Sequence, residues 1–287
     1  MSIAAAALVT VEPPAGRDGR RADPALIGLA AVLTALVLAA IAAPLIATQA
    51  PDAGNILAAN APPSAAHLLG TDALGRDIFS RLVYGARLSL LGPTLIIVIA
   101  TTVGVTLAIS AVWVGGWYDL VVGRVLDLLF AIPGLLVAII AVAVLGTGLT
   151  APVIALSIAY TPYIARVLRS VALRERHLGY IESCQLAGAS GAAICVRHLL
   201  PNVMPLIRAQ ATLAFGAALV DLAAVSYLGL GVQPPTAEWG IMVSDGQSSL
   251  LNGYPLESIS AGAMIVVVVV LVNLAGERLA ARAEAAG

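Results

Sequence analysis

The chain has 287 residues, of which 60% are apolar and 11% charged, and its net charge is −1. Ordinary soluble domains carry roughly 45–50% apolar and about 25% charged residues. So few polar side chains cannot cover this much apolar surface, which excludes a typical soluble enzyme and a disordered chain. All 15 basic residues are Arg. Without lysine there is no P-loop lysine, no Schiff-base lysine and no Ser–Lys dyad, so the chain cannot hydrolyse ATP by the usual P-loop route. The near-neutral balance gives no overall basic face for nucleic acid.

In chain order, residues 1–24 begin apolar and then carry Arg17, Arg20 and Arg21. A secretory signal has the opposite charge order, so a short cytoplasmic tail is expected. A membrane span needs about 20 apolar residues. Uncharged runs place span one at 25–46 and span two at 88–112. The run 128–165 is too long for one helix and is expected to break at Gly146–Thr150, giving span three over 125–145 and span four over 150–168. Span five is expected over 204–228, with Asp221 inside it, and span six over 258–276. The runs are continuous rather than alternating, which disfavours a β-barrel. With the N-terminus inside, 12 Arg fall on the inner side, and Arg76, Arg81 and Arg87 fall outside. That bias orients the bundle with both termini cytoplasmic.

The outer segment 47–87 contains Asp72, Arg76, Asp77 and Arg81. Asp77 and Arg81, four apart, are expected to pair on one helix face, and Asp72 to cap a helix starting near Leu74. No nucleophile completes a catalytic site there. Arg124 and Asp127 are expected to pair at the start of span three, and Pro133 and Pro162 to kink their helices. Gly104, Ala108, Ala111 and Gly115 form a small-residue run suited to close helix contact. Cys184 and Cys195 lack CxxC or zinc spacing and read as reduced packing residues. His67, His177 and His198 share no metal-ligand spacing.

The inner loop, about 170–202, holds two short helices about the turn Gly188-Ala189-Ser190-Gly191, the second expected to run 192–200 and to end at Pro201-Asn202. Its residues alone fit either a loop that caps the bundle or one that docks a partner. Asp221, an acid deep in a span, is a candidate for the translocation pathway or for a bond to a neighbouring helix.

Glu182-Ser183-Cys184, Gly188 and Leu200-Pro201, with thirteen steps from Gly188 to Pro201, resemble the EAA loop of ABC-importer permeases. Ser183 and Cys184 stand where that loop has alanines, and His198 stands at a position that is usually apolar. Arg197-His198-Leu199-Leu200-Pro201-Asn202, the segment from His67 to Arg87, the segment Ser226 to Pro235 with Trp239-Gly240, and the Asp119…Arg124…Asp127…Pro133 pattern are similar to the dipeptide, oligopeptide and nickel importer permeases. The likeness covers about 65–275 of an expected permease domain over 25–287.

It implies an all-α, six-span fold of the type I importer kind and the second permease of a pair. It implies a non-catalytic chain in the bacterial inner membrane with no cofactor of its own, ATP and Mg residing on partner subunits. The implied partners are a homologous permease, two ATP-binding-cassette ATPase domains, an extracytoplasmic substrate-binding protein and the lipid bilayer. Glu182, Ser183, Cys184, Gly188, His198, Leu200 and Pro201 would carry ATPase coupling. Peptides are the implied substrate, with nickel or another small ligand as the alternative. A secondary transporter would show inverted repeats or several ionisable spans, and neither is evident.

Overall fold

A computed structural model describes residues 23–286. The tail expected over 1–24 therefore lies, apart from Asp23 and Pro24, outside the described residues. The described chain is all-α. It runs α1 (Pro24–Ile41), α2 (Ala43–Ile46), α3 (Ile78–Val114), α4 (Gly116–Phe130), α5 (Gly134–Leu145) and α6 (Thr150–Arg176). It continues through α7 (Gly179–Leu186), α8 (Gly191–Ile194), a π-helical turn over Cys195–Leu199, α9 (Leu200–Tyr227), α10 (Trp239–Asp245), α11 (Gln247–Leu251) and α12 (Leu256–Ala286). The only sheet-like pairing among the described residues is an isolated bridge between Thr71 and Asp77.

Five helices are long and apolar enough to cross a membrane, and the bent pair α4–α5 is a sixth candidate. Span three is thus corrected. It is not one helix over 125–145 but two segments bent by 84°. The physical reason is Pro133, whose missing N–H and bulky ring prevent α4 from continuing. Pro162 behaves differently: it sits inside the unbroken α6. The break expected after span three is present, with Gly146 and Gly148 both at positive φ.

Small residues set the packing at the centre. A Cβ added at Gly104 of α3 would lie 3.1 Å from the Thr161 carbonyl and 3.2 Å from the Ala165 amide nitrogen of α6. Ala108 and Ala111 on the same stripe are fully buried, so α3 and α6 approach almost backbone to backbone. Ile96, Leu156, Ala218 and Leu222 join α3, α6 and α9 in one cluster, with Ala138 of α5 against it. By contrast α1 buries only Ala40 and leaves Ile27, Leu38 and Ile41 exposed. Arg278 of α12 reaches Asp23 at 3.2 Å, which puts the first and last described helices' free ends on one side.

The two ends of the bundle differ. The loop end carries residues 177–199. The cap end carries 47–77 and 228–255 and encloses charge. There α3 begins at Ile78 with Asp77, not Asp72, as N-cap, accepting from the Ser80 amide at 2.8 Å. Burial alone pushes the Asp77 carboxyl upward. Hydrogen bonds from Ser80, His67 and Thr48 outweigh that and hold it below the usual carboxylate value.

The expected Asp77–Arg81 pair is also corrected. Asp77 bonds His67 at 3.0 Å, whereas Arg81 points into a buried cluster. Its guanidinium lies 3.7 Å from Asp72, 3.7 Å from Asp245 and 4.0 Å from Glu257. Asp72 serves Arg76 instead of a helix, accepting from its amide at 2.8 Å and its Nε at 2.5 Å. Trp239, fully buried, donates from its ring nitrogen to the Leu82 carbonyl at 2.9 Å. Glu238 caps α10 and accepts from Ser89 of α3 at 2.9 Å.

Candidate functional site

The loop end is built on an amphipathic stub. In α7, Ile181 is fully buried while Glu182, Ser183, Gln185 and Leu186 face outward. Leu186 is 90% exposed. Cys184 is half-buried and, like Cys195, unpaired. The Ser183 hydroxyl donates to the Gly179 carbonyl at 2.9 Å, leaving the Glu182 carboxylate as the outward charge.

Gly188 ends α7 in a Schellman motif. Its amide donates to Gln185 at 3.0 Å, and the next amide, of Ala189, donates to Cys184 at 3.1 Å. Its φ of +78° is the left-handed conformation that glycine adopts without steric cost. The space beside it is open, so backbone conformation rather than crowding requires glycine here. Ser190 then caps α8, accepting from Ala193 at 3.3 Å.

The expected end of the second short helix at Pro201 is corrected. The chain passes through the π-turn straight into α9, with Pro201 in the first turn of that helix. Its missing amide falls where the continuous helix would have bonded back to the carbonyls of the π-turn, which is where the regular hydrogen-bond ladder is interrupted. His198 is exposed on the π-turn, Pro201 is exposed, and Leu200 packs against the cluster of Ala100, Ala108, Ile164 and Leu168. Six of the seven residues singled out from the sequence thus lie at or near the outer face of one protrusion, and Leu200 roots it. The expected Arg124–Asp127 pair does not form: Asp127 takes Arg166 of α6 at 2.5 Å, and Asp119 takes Arg169 at 2.7 Å.

Sequence reasoning missed the anchors of this protrusion. Trp113, at the end of α3, lies against Gly191, where an added Cβ would come 2.2 Å from the ring nitrogen. Arg176 lies over the same ring at 5.6 Å and donates to the Val112 carbonyl. Tyr180 donates to Glu175 at 2.8 Å and accepts from Asn202 at 2.9 Å, fastening α7 to the end of α6 and the start of α9. Burial, then the bond to Glu175, push the Tyr180 phenol above its ordinary value. The one local signal was composition: Trp113 is one of three tryptophans in the chain and stands near a span end.

Asp221 sits elsewhere. Its Oδ2 accepts from the Tyr160 hydroxyl at 2.8 Å beside the α4–α5 break. Among the described residues no group of three His, Cys, Asp or Glu is placed to hold a metal ion.

Residues 100–285 match the family described as the binding-protein-dependent transport system inner membrane component. The dipeptide transport system permease protein of Alkalihalophilus pseudofirmus is 38% identical over 255 residues, covering 89% of this chain and 83% of that one. The glutathione transport system permease protein of Pectobacterium atrosepticum is 39% identical over 220 residues, covering 77% and 73%. Among solved structures, the inward-facing MetNI methionine ABC transporter aligns with a TM-score of 0.57 at 20% identity, over 70% of this chain and 96% of that one, a likeness of fold alone. An all-α bundle with this break, this protruding loop and these relatives belongs to the family of binding-protein-dependent transport system inner membrane components, the permeases of ABC importers.

Proposed function

We propose that this chain lines the translocation pathway of a peptide importer together with a second, homologous permease, and that the protrusion over 177–199 receives ATPase subunits on the cytoplasmic side. The relatives named for dipeptide and glutathione transport support the substrate class. One observation carries the coupling role. The face bearing Glu182 and the 90%-exposed Leu186 has nothing against it among the described residues, while its root is fastened to α3, α6 and α9.

An exposed apolar side chain beside a carboxylate is what a groove on a partner can bury. Fastening at three helices lets a push on α7 move the spans as a body rather than bend a loop. ATP and Mg belong to the partner ATPases, whose closure moves the protrusion. The pathway between the two permeases then opens outward to a docked binding protein, and hydrolysis resets it. Asp221, on the cleft at the broken helix, belongs to the pathway wall. Both termini lie in the cytoplasm, the side favoured by the Arg distribution.

Glu182→Arg and Gly188→Asp test the coupling role in vesicles of the whole importer. Each is expected to leave the permease inserted and to abolish substrate-stimulated ATPase and uptake together. Normal values of both in the two variants would overturn it.

A further inference from the structure

A cleft lies beside Asp221. It has a volume of ≈ 260 Å³ and lies between the α4–α5 break, α6 and α9. Asp221 is the only carboxylate of α9 and makes no ion pair among the described residues. One oxygen takes the Tyr160 hydroxyl; no other hydrogen bond reaches the carboxylate among the described residues. Arg166, which lies 4.4 Å over the Phe130 ring at the cleft's edge, is paired with Asp127 at 2.5 Å. A carboxylate left without a counter-ion inside a helical bundle is costly, and it persists where a cation visits.

The opposite wall is mixed in sign. Here α4 ends at Phe130, the Asp127, Leu128 and Leu129 carbonyls of its last turn accept from the Ala131 and Ile132 amides, and α5 begins at Gly134. The carbonyl end of one helix and the amide end of the next therefore meet there, and the net negative charge of the cleft comes from Asp221. Tyr160 and Tyr163 add aromatic rings to the cleft, which attract ammonium groups, whereas the Phe130 ring already carries the Arg166 guanidinium. Tyr160 lies about 15 Å along α6 from that helix's cap end, and Asp221 about 9 Å along α9, at 1.5 Å rise per residue. The cleft is therefore inside the bundle, yet Tyr163 is 38% and Ile132 47% exposed, so it opens on a face the chain's own helices do not cover.

Resting on the pathway role proposed above, we infer that this cleft is a subsite for a primary ammonium group, the amino terminus of a peptide in transit, with Asp221 as its anion. The ammonium N–H donors match the free carboxylate oxygen of Asp221 and the Tyr160 oxygen. A divalent metal is not matched, because no second carboxylate or histidine completes a ligand set among the described residues.

The test compares wild type with Asp221→Asn in the whole importer, purified through a tag on this chain and reconstituted in vesicles with its binding protein. The probe is uptake of one dipeptide with a free amino terminus from pH 6.5 to 9. Peptide α-amines lose their charge near pH ~8. The ratio of wild-type to variant rates cancels the pH response of the binding protein and the ATPases. The titratable and charged groups about the cleft are Asp221 and the neutral phenols of Tyr160 and Tyr163, with the paired Arg166 and Asp127 at its edge.

The ratio should be about tenfold at pH 6.5, the scale of one charge-assisted contact, and should fall towards one by pH 9. Asp221→Glu should keep most of the wild-type rate. A ratio that stays constant with pH, or that is one throughout, would overturn the subsite. The pathway reading fails separately, if the wild-type importer moves no peptide with ATP.

Discussion

The cap end and the loop end use polar residues in opposite ways. At the cap end, Asp72, Arg76, Arg81 and Glu257 are each 5% exposed or less, and these side chains face one another across the starts of α3 and α12. At the loop end the polar groups lie mostly outside, and the contacts inward are the Trp113 ring, Arg176, Tyr180 and the buried apolar side chains Ile181, Ile194 and Leu199. The cap end is closed on itself: removing a member leaves a buried charge alone. The loop end is anchored but open, and most of its surface has no partner within the chain. The first arrangement holds a shape, whereas the second presents one.

The hardest blow to this contrast should come from Arg81. Arg81→Met removes a fully buried cation and leaves Asp72 and Glu257 facing each other with Arg76 alone between three carboxylates. Breaking a buried ion network by deleting one partner costs about 3–5 kcal/mol. The detergent-solubilised protein should lose most of its unfolding transition. A melting temperature within a degree or two of wild type would mean that the cap end is not held by its charges.

A smaller effect is expected where the loop end is anchored. Gly191→Ala forces a methyl into the Trp113 ring, and overpacking of this kind costs about 1–3 kcal/mol. Because the outward face of α7 is untouched, ATPase subunits should still copurify, while uptake per ATP hydrolysed falls several-fold. Equal loss of binding and uptake would instead make this anchor part of the docking face.

Much of the fold is legible in the sequence because hydropathy reports the solvent, not the packing. The uncharged run at 25–46 and the valines at the centre of α12 announce spans whatever they touch. The EAA-like spacing located the protrusion for the same reason: its turn is local, written in Gly188 and the short helices around it. What stayed hidden depends on partners distant in sequence. Asp72 and Asp77 are equally good caps by type, and only the bonds from Thr48 and His67 decide for Asp77. Trp113 and Gly191 meet through tertiary approach alone. The kink expected at Pro133 is a full break; both halves are apolar, and a single proline does not say whether a helix kinks or breaks. Pro162 in the same bundle leaves α6 unbroken. Pro201 misled in the other direction, since a proline in a first turn starts a helix as readily as it ends one.

The finest distinction between the two ends is a single hydroxyl. Tyr180→Phe deletes the bonds to Glu175 and Asn202 and keeps the ring. A hydrogen bond of this kind is worth about 0.5–1.5 kcal/mol net. Because α7 has few other ties, that loss should appear locally, as faster amide exchange over 179–186, with little change in global melting. The sign of the pH response follows from the raised phenol. The folded state favours the neutral hydroxyl, so the clamp is fully present below the ordinary tyrosine value of 10.0 and is lost as pH rises through the higher folded value. In wild type, exchange over α7 corrected for its intrinsic pH dependence should therefore speed up in that alkaline range, and in Tyr180→Phe it should be flat. A flat wild-type profile would show that Tyr180 is not what holds α7, and that its buried Ile181 suffices.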